Sequence, residues 1–183
     1  MTKIFDGTRR RFLELGITAA ACSMATPALA AIPRFKGVRA ISMHNLHTDE
    51  KLHVTYWKDG KYDRAAWAKI NHILRDHYSG DSCAMNLRLM DLLYDLQRQV
   101  NNDKPVEIIS GYRSPKTNMM LARASDGVAK NSYHTRGMAM DIRMNGTSLP
   151  KIHNTALKMR RGGVGYYPDS QFVHIDVGPM RMW

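Results

Sequence analysis

The sequence has little cysteine and no long apolar run. Of its two cysteines, Cys22 lies within the first thirty residues, so Cys83 is the only one in the remainder of the chain. An internal disulfide in residues 31–183 is thereby excluded, and cysteines cannot close a structural zinc site there. There is also no internal repeat, no low-complexity tract and no linker. The absences indicate one folded domain without a transmembrane helix.

Acidic residues are scarce as well. Asp and Glu number 16 against 27 Lys and Arg, which gives a formal net charge of +11. A charge of this size could indicate a nucleic-acid partner. The export signal described next argues against that partner and favours the polyanionic surfaces outside the cytoplasm, the cell wall and the membrane. Solubility alone explains the charge equally well.

The first thirty residues have the pattern of an export signal. Thr8–Leu13 reads TRRRFL, a twin-arginine pattern, and is followed by the short apolar stretch Ile17–Ala21 and by the small-residue cleavage site Ala28–Ala30. We therefore predict a twin-arginine signal peptide at residues 1–30 and an exported domain at residues 31–183, located in the periplasm without a stable membrane span. The signal contains four basic and two acidic residues, so its removal lowers the net charge from +11 to +9.

The remaining residues alternate between strand and helix patterns. Predicted strands are Val38–Leu46, Leu52–Trp57, Pro105–Ser110, Met138–Met144, Val164–Tyr167 and Phe172–Val177. Four helices are predicted. The first follows the cap Asp63, the second spans Ala84–Val100, the third begins at Pro115 after the cap Ser114, and the fourth spans Lys151–Arg161. This order, with tight hairpins at both ends, predicts an α+β fold in which helices pack on an antiparallel sheet in a single domain.

Two short segments near the C-terminus contain the residue types of a metal site. SYHTRGMAMD (132–141) contributes His134 and Asp141, and FVHID (172–176) contributes His174. Two imidazoles and one carboxylate are three ligands, which leave the fourth tetrahedral position of a zinc ion open to water. An open position of this kind is typical of a hydrolytic centre, because the bound water becomes a nucleophile at neutral pH.

The spacing of the first two residues requires a turn. In one straight strand His134 and Asp141 would lie roughly 23 Å apart on opposite faces, whereas ligands share an ion about 2 Å away. Gly137 lies between them and tolerates backbone angles that other residues avoid. We therefore expect His134 on a loop and Asp141 in the strand that follows.

The motifs resemble a known family. HTRGMAMD followed by VHID, with SGYRS (110–114) upstream, is similar to the zinc D-alanyl-D-alanine carboxypeptidases and murein endopeptidases, and most closely to the murein endopeptidase K subgroup. The segments NLHT (45–48), VAK (128–130) and GGVGYYP (162–168) fit the same subgroup, so the resemblance covers nearly the whole chain. It implies that His134, Asp141 and His174 bind zinc and that Arg113 faces the substrate. It also implies cleavage of peptidoglycan cross-links that contain meso-diaminopimelate, as in cell-wall remodelling.

The sequence departs from the family at the general base. Many members have an acidic residue three positions before the last histidine ligand, and some have a histidine two positions before it, whereas this chain has Gln171 and Phe172. Asp176 shares a strand face with His174, so we predict that it accepts the water proton, with Asp169 in reserve. Asp176 could instead only orient His174.

The residues just before the helix predicted to begin at Pro115 bear on the substrate. Arg113 is predicted to bind a substrate carboxylate or the developing oxyanion, because a guanidinium pairs with carboxylates in two-pronged fashion. Tyr112 either contacts the substrate or anchors the loop. Two other functions fit the same sequence: a D,D-carboxypeptidase that trims free stem peptides, and a non-catalytic wall-binding module, which is consistent with Gln171 at the usual base position.

Overall fold

A computed structural model describes residues 37–125 and 127–183. The predicted signal peptide at residues 1–30 lies outside the described residues. Within the described ranges, no helix is long and apolar enough to cross a membrane. The described chain forms four α-helices, one 3₁₀ turn and a single sheet, which confirms the predicted α+β class.

The strands are β1 Val38–Asn45, β2 Lys51–Lys58, β3 Lys61–Tyr62, β4 Val106–Ser110, β5 Ala139–Met144, β6 Gly163–Tyr167, β7 Phe172–Asp176 and β8 Arg181–Met182. The α-helices are α1 Arg64–Ile73, α2 Leu87–Gln99, α3 Pro115–Ala124 and α4 Leu149–Met159. The 3₁₀ turn spans Tyr133–Arg136. The two shortest strands, β3 and β8, are too short to show a sequence period and were not predicted.

The sheet is mixed, which corrects the expectation of an antiparallel one. In the described chain its strand order is β3-β2-β1-β4-β5-β7-β6-β8. Most neighbours are antiparallel, but β1 pairs with β4 and β6 pairs with β8 in parallel. The connection from β1 to β4 includes a hairpin and two helices, which is long enough for a parallel crossover. The residue pattern of a strand does not indicate whether the neighbouring strand is parallel or antiparallel to it.

Side-chain caps set the helix starts. Asp63 accepts a hydrogen bond from the Ala66 N–H at the start of α1, and Ser114 accepts one from the Thr117 N–H at the start of α3. Asn86 caps α2 by accepting from the Arg88 N–H, so this helix begins at Leu87 rather than at the predicted Ala84. The predicted helices are therefore present, with small shifts at their ends.

The core lies between the sheet and the helices α1, α2 and α4, which contact it. Strand β5 lies near the middle of the sheet, and all of its residues except Arg143 are buried. Asp141 is thus a carboxylate inside an apolar strand, flanked by Met140 and Ile142. Because burial of an unpaired charge is costly, this position requires specific partners.

A second buried carboxylate, Asp76, connects the end of α1 to the start of α3. It accepts hydrogen bonds from the backbone N–H groups of Ser114 and Tyr78, each 2.9 Å long. Burial opposes its ionisation, but the hydrogen bonds from Thr117, Ser114 and Tyr78 outweigh burial and lower its pKa from 3.8 to about 2. Since Ser114 follows Arg113 directly, Asp76 helps to hold the turn that carries Arg113.

We expect Asp76→Asn to lower the free energy of unfolding by roughly 1–3 kcal/mol at neutral pH, the usual cost of weakening buried hydrogen bonds. The folded pKa lies below the unfolded one, so the contribution of the ionised carboxylate is complete above the unfolded value of 3.8 and is lost as the pH falls through about 2. Urea unfolding of both proteins should therefore show a smaller difference at about pH 2.5 than at about pH 7. An equal difference at both pH values would contradict this account.

Candidate metal centre

His134 reaches the site from the 3₁₀ turn Tyr133–Arg136, in the segment where a loop was expected. Ser132 caps this turn by accepting a hydrogen bond from the His134 N–H. Gly137 ends the turn with a φ of 62°, and a Cβ at this position would lie 2.8 Å from Cys83 Sγ. A residue other than glycine is therefore strained both by its backbone angle and by its neighbours. The predicted reversal between His134 and Asp141 is confirmed.

The other two residues of the pattern are direct neighbours across the sheet. Strands β5 and β7 are antiparallel, and their register places Asp141 opposite His174. Directly paired residues project to the same face of a sheet, with their Cβ atoms about 5 Å apart. The pairing therefore brings together two side chains that are distant in the sequence.

Three donor atoms converge at this point. His134 Nε2 lies 3.2 Å from both Asp141 Oδ1 and His174 Nδ1, and His174 Nδ1 lies 2.8 Å from Asp141 Oδ1. Ligand atoms about 2.0–2.1 Å from a tetrahedral zinc ion are roughly 3.3 Å apart, so the triangle has the dimensions of such a site. The exposed fractions of the three residues are only 1%, 4% and 8%. Among the described residues, this is the group that could hold a metal ion.

The second nitrogen of each imidazole is oriented by an acceptor. His134 Nδ1 lies 2.7 Å from the Gly111 carbonyl oxygen, and His174 Nε2 lies 3.1 Å from Asp176 Oδ2. Carbonyl and carboxylate oxygens only accept, so each of these nitrogens carries the proton. The lone pairs of His134 Nε2 and His174 Nδ1 are then left for a metal, which is the usual arrangement of metal-binding histidines.

The charges of the triangle also suit a cation. Burial raises the pKa of Asp141, but its interactions with His134 and His174 outweigh burial and hold the pKa well below its usual value. Burial lowers the pKa of His134 more than its attraction to Asp141 raises it. Asp141 and His134 therefore have the protonation states that ligands need. For His174, burial lowers the pKa less than the contacts with Asp141 and Asp176 raise it, so a bound metal would have to displace a proton from this imidazole.

Arg113 lies at the site, as predicted. It follows β4, its Nε donates to Ser110 Oγ at 2.9 Å, and its Nη2 donates to Asp141 Oδ2 at 2.7 Å. Its backbone N–H also donates to the His134 carbonyl oxygen. Arg113 thus contacts the Asp141 oxygen that does not face the two histidines, and it lines the cleft over the triangle.

Tyr112 points elsewhere. Its ring packs against the hydrophobic core, its N–H donates to the Leu74 carbonyl oxygen, and it is not among the residues that line the cleft. This position favours the anchoring role that the sequence left open for Tyr112 over contact with a substrate.

The prediction that Asp176 accepts a water proton does not fit its position. Asp176 is fully buried, and it lies beside His174 Nε2, on the far side of the ring from the donor triangle. Strand alternation correctly places the two residues on one face, but the ring of His174 separates the carboxylate from the triangle. Asp169, the reserve, is exposed and precedes Ser170, which lines the cleft.

The cleft over the triangle has a volume of about 540 Å³. Besides the triangle and Arg113, its walls contain residues to which the sequence assigned no role in the site: Val128, Tyr133, Tyr167, Phe172, Arg181 and Trp183. Four of these are aromatic, and three of the four, Tyr167, Phe172 and Trp183, lie near the β6–β7 hairpin and β8. The sequence signal for Val128 and Tyr167 was the family match of the segments VAK and GGVGYYP, but neither segment has a period that would place it in the cleft. The cleft is thus cationic at Arg113 and Arg181 and aromatic along one side.

Comparison with known proteins agrees with this geometry. A family model described as peptidoglycan L,D-endopeptidase MepK matches residues 34–183. The chain is 45% identical to the proteins of that description in Escherichia coli K12 and Shigella flexneri over 182 residues, which cover 98% of each chain. It is 36% identical to a MepK relative in Haemophilus influenzae, over 97% of this chain and 96% of the relative. The chain belongs to the MepK family of murein endopeptidases.

Proposed function

We propose that this protein is a zinc peptidase of the periplasm that hydrolyses peptide cross-links of peptidoglycan. The observation that supports this function is the buried triangle of His134, Asp141 and His174 at the base of an open cleft, in a chain of the MepK family. Three protein ligands and one open side are typical of catalytic zinc, whereas a structural site is closed by four.

Bound zinc supplies an activated water molecule and a Lewis acid for the scissile carbonyl. The chain's own residues contribute orientation and charge. Gly111 and Asp176 orient the rings of His134 and His174 so that the other nitrogen of each would face a bound zinc ion. Arg113 stands beside the triangle and binds a substrate carboxylate or the negative charge that develops on the carbonyl oxygen.

The relatives are described as L,D-endopeptidases, and we extend this bond choice to the present chain. A cross-link between two meso-diaminopimelate residues has a free carboxylate next to the scissile amide. A guanidinium beside the metal site complements this carboxylate in two-pronged fashion. The aromatic side of the cleft, with Tyr167, Phe172 and Trp183, offers apolar surface to the rest of the peptide.

We do not assign the proton acceptor to Asp176, because its buried carboxylate lies beside His174 Nε2, away from the donor triangle. Among the described residues that line the cleft, Asp141 is the sole carboxylate, and it is committed to the triangle and to Arg113. Asp169 therefore stays as the candidate acceptor, because it is exposed in the turn between β6 and β7 next to the cleft.

Digestion of purified sacculi with zinc-loaded protein tests the function, with His134→Ala as the inactive control. Mass spectrometry of the products should show that cross-linked dimers with L,D-bonds are converted to monomers. Release of terminal D-alanine from uncross-linked stem peptides would instead identify a D,D-carboxypeptidase. Binding to sacculi without any product would identify a wall-binding module.

Export by the twin-arginine pathway is proposed from Arg9 and Arg10. Replacing both with lysine keeps the charge but removes the guanidinium pair, so the unprocessed precursor should accumulate in the cytoplasm. Fractionation and immunoblotting measure this, and a variant that also replaces Arg11 removes any substitute pair. Normal processing of both variants would point to the general secretion route.

A further inference from the structure

Arg181, on the short strand β8, pairs with the carboxylate of Asp176 behind the metal triangle. Its Nη2 donates to Asp176 Oδ2 at 2.6 Å, and its Nη1 donates to Asp176 Oδ1 at 3.2 Å. The same carboxylate accepts hydrogen bonds from the backbone N–H groups of Gly163 and Gly178. Asp176 is therefore held on all sides, and its remaining contact is with His174 Nε2.

Two aromatic rings hold Arg181 in turn. The guanidinium lies 4.9 Å from the ring centre of Tyr133 and 4.9 Å from that of Trp183. Cation–π contacts of this kind favour a charge placed over a ring face. Trp183 is itself fixed, because its indole N–H donates to Tyr167 Oη at 2.6 Å. A series of contacts thus runs from the aromatic wall of the cleft through Arg181 and Asp176 to His174.

We propose that Arg181 is a positioning residue for the metal site: it fixes Asp176, and Asp176 fixes the ring of His174 so that Nδ1 faces the triangle. This inference rests on the proposed metal site. Its physical basis is that a carboxylate orients a metal-binding imidazole only while the carboxylate itself cannot rotate. The guanidinium restrains both oxygens in a plane, which the two backbone donors, both on Oδ1, do not do alone.

A direct role of Arg181 in substrate binding is the competing explanation, since the residue lines the cleft. Both terminal nitrogens of Arg181 already bond to Asp176, whereas Arg113 bonds to Asp141 through Nη2 and also lines the cleft. A positioning role predicts that Arg181 affects metal affinity, and a substrate role predicts that it affects KM. The two explanations can therefore be separated by measurement.

The test compares Arg181→Met with the matched control Arg136→Met. Arg136 also lies over the Tyr133 ring, at 5.5 Å, but it is exposed and makes no contact with Asp176. We expect Arg181→Met to raise the dissociation constants for zinc and cobalt roughly 10–100-fold, as loss of an orienting group does, and to shift the visible bands of the cobalt form. The control should match the unsubstituted protein in both respects. At saturating zinc, Arg181→Met should keep its KM.

Three results would overturn the proposal. The first is a folded Arg181→Met protein whose metal affinity and cobalt spectrum are unchanged. The second is a raised KM at saturating zinc with normal metal affinity, which would make Arg181 a substrate contact. If Arg181→Met does not fold, the double variant Asp176→Asn/Arg181→Met takes its place in the test, because it removes the buried charge together with its partner. Normal metal affinity of this double variant is the third result. Absence of zinc and cobalt binding in the unsubstituted protein would instead refute the proposed metal site itself.

Discussion

His134→Ala and His174→Ala are each expected to abolish metal binding and cross-link cleavage. Each change leaves two protein ligands, and two ligands do not hold a zinc ion at ordinary concentrations. Both side chains are buried, and among the described residues only Asp141 joins them in a group that could hold a metal ion. Asp141→Asn should weaken zinc as well, because a neutral amide is a poorer ligand than a carboxylate.

Elemental analysis of the folded variants measures this effect, with cleavage of sacculi as the second readout. His72→Ala is the control, since His72 is largely exposed and pairs with Glu50 rather than with the triangle. The control should keep both metal and activity. Full metal retention in both His134→Ala and His174→Ala would refute the assignment of the ligands.

Much of the fold could be predicted because its elements are amphipathic or bounded by clear caps. Asp63 and Ser114 mark the starts of α1 and α3 in the sequence and do so in the structure. The direction of strand pairing could not be predicted, since β1 would show the same alternation beside a parallel or an antiparallel neighbour. Strand β8 has two residues, and its position depends on pairing with β6 rather than on any local pattern.

The candidate site, like the fold, could be predicted from the sequence only in part. The turn between His134 and Asp141 follows from their spacing and from Gly137, whereas the position of His174 opposite Asp141 depends on the register of β5 and β7. Sequence reasoning placed Asp176 on the correct face of its strand. The sequence could not show which nitrogen of His174 would face which neighbour, because that depends on the rotation of the ring. The same rotation decides whether Asp176 is placed as a proton acceptor or as a group that orients His174.

Arg113→Met is expected to lower kcat/KM for cross-link cleavage roughly 10²–10³-fold, the usual effect of removing a group that stabilises developing negative charge. The metal should be largely retained. Arg113 contacts Asp141 Oδ2, whereas Oδ1 is the oxygen that faces the two histidines. The substitution therefore removes a hydrogen bond that is not part of the donor triangle. Methionine keeps an apolar stem of similar length, which limits the effect on packing.

The measurement combines zinc content and cleavage kinetics of a defined cross-linked muropeptide on the same preparation. Arg143→Met is the matched control, because Arg143 lies on β5 close to Asp141 but pairs with Glu107 and does not line the cleft. It should behave as the unsubstituted protein does. Activity within about threefold of normal, with zinc retained, would remove Arg113 from the mechanism. A loss of zinc parallel to the loss of activity would mean that Arg113 acts only by holding Asp141, since a guanidinium that stabilises the reaction itself must lower the rate of the fully metal-loaded protein.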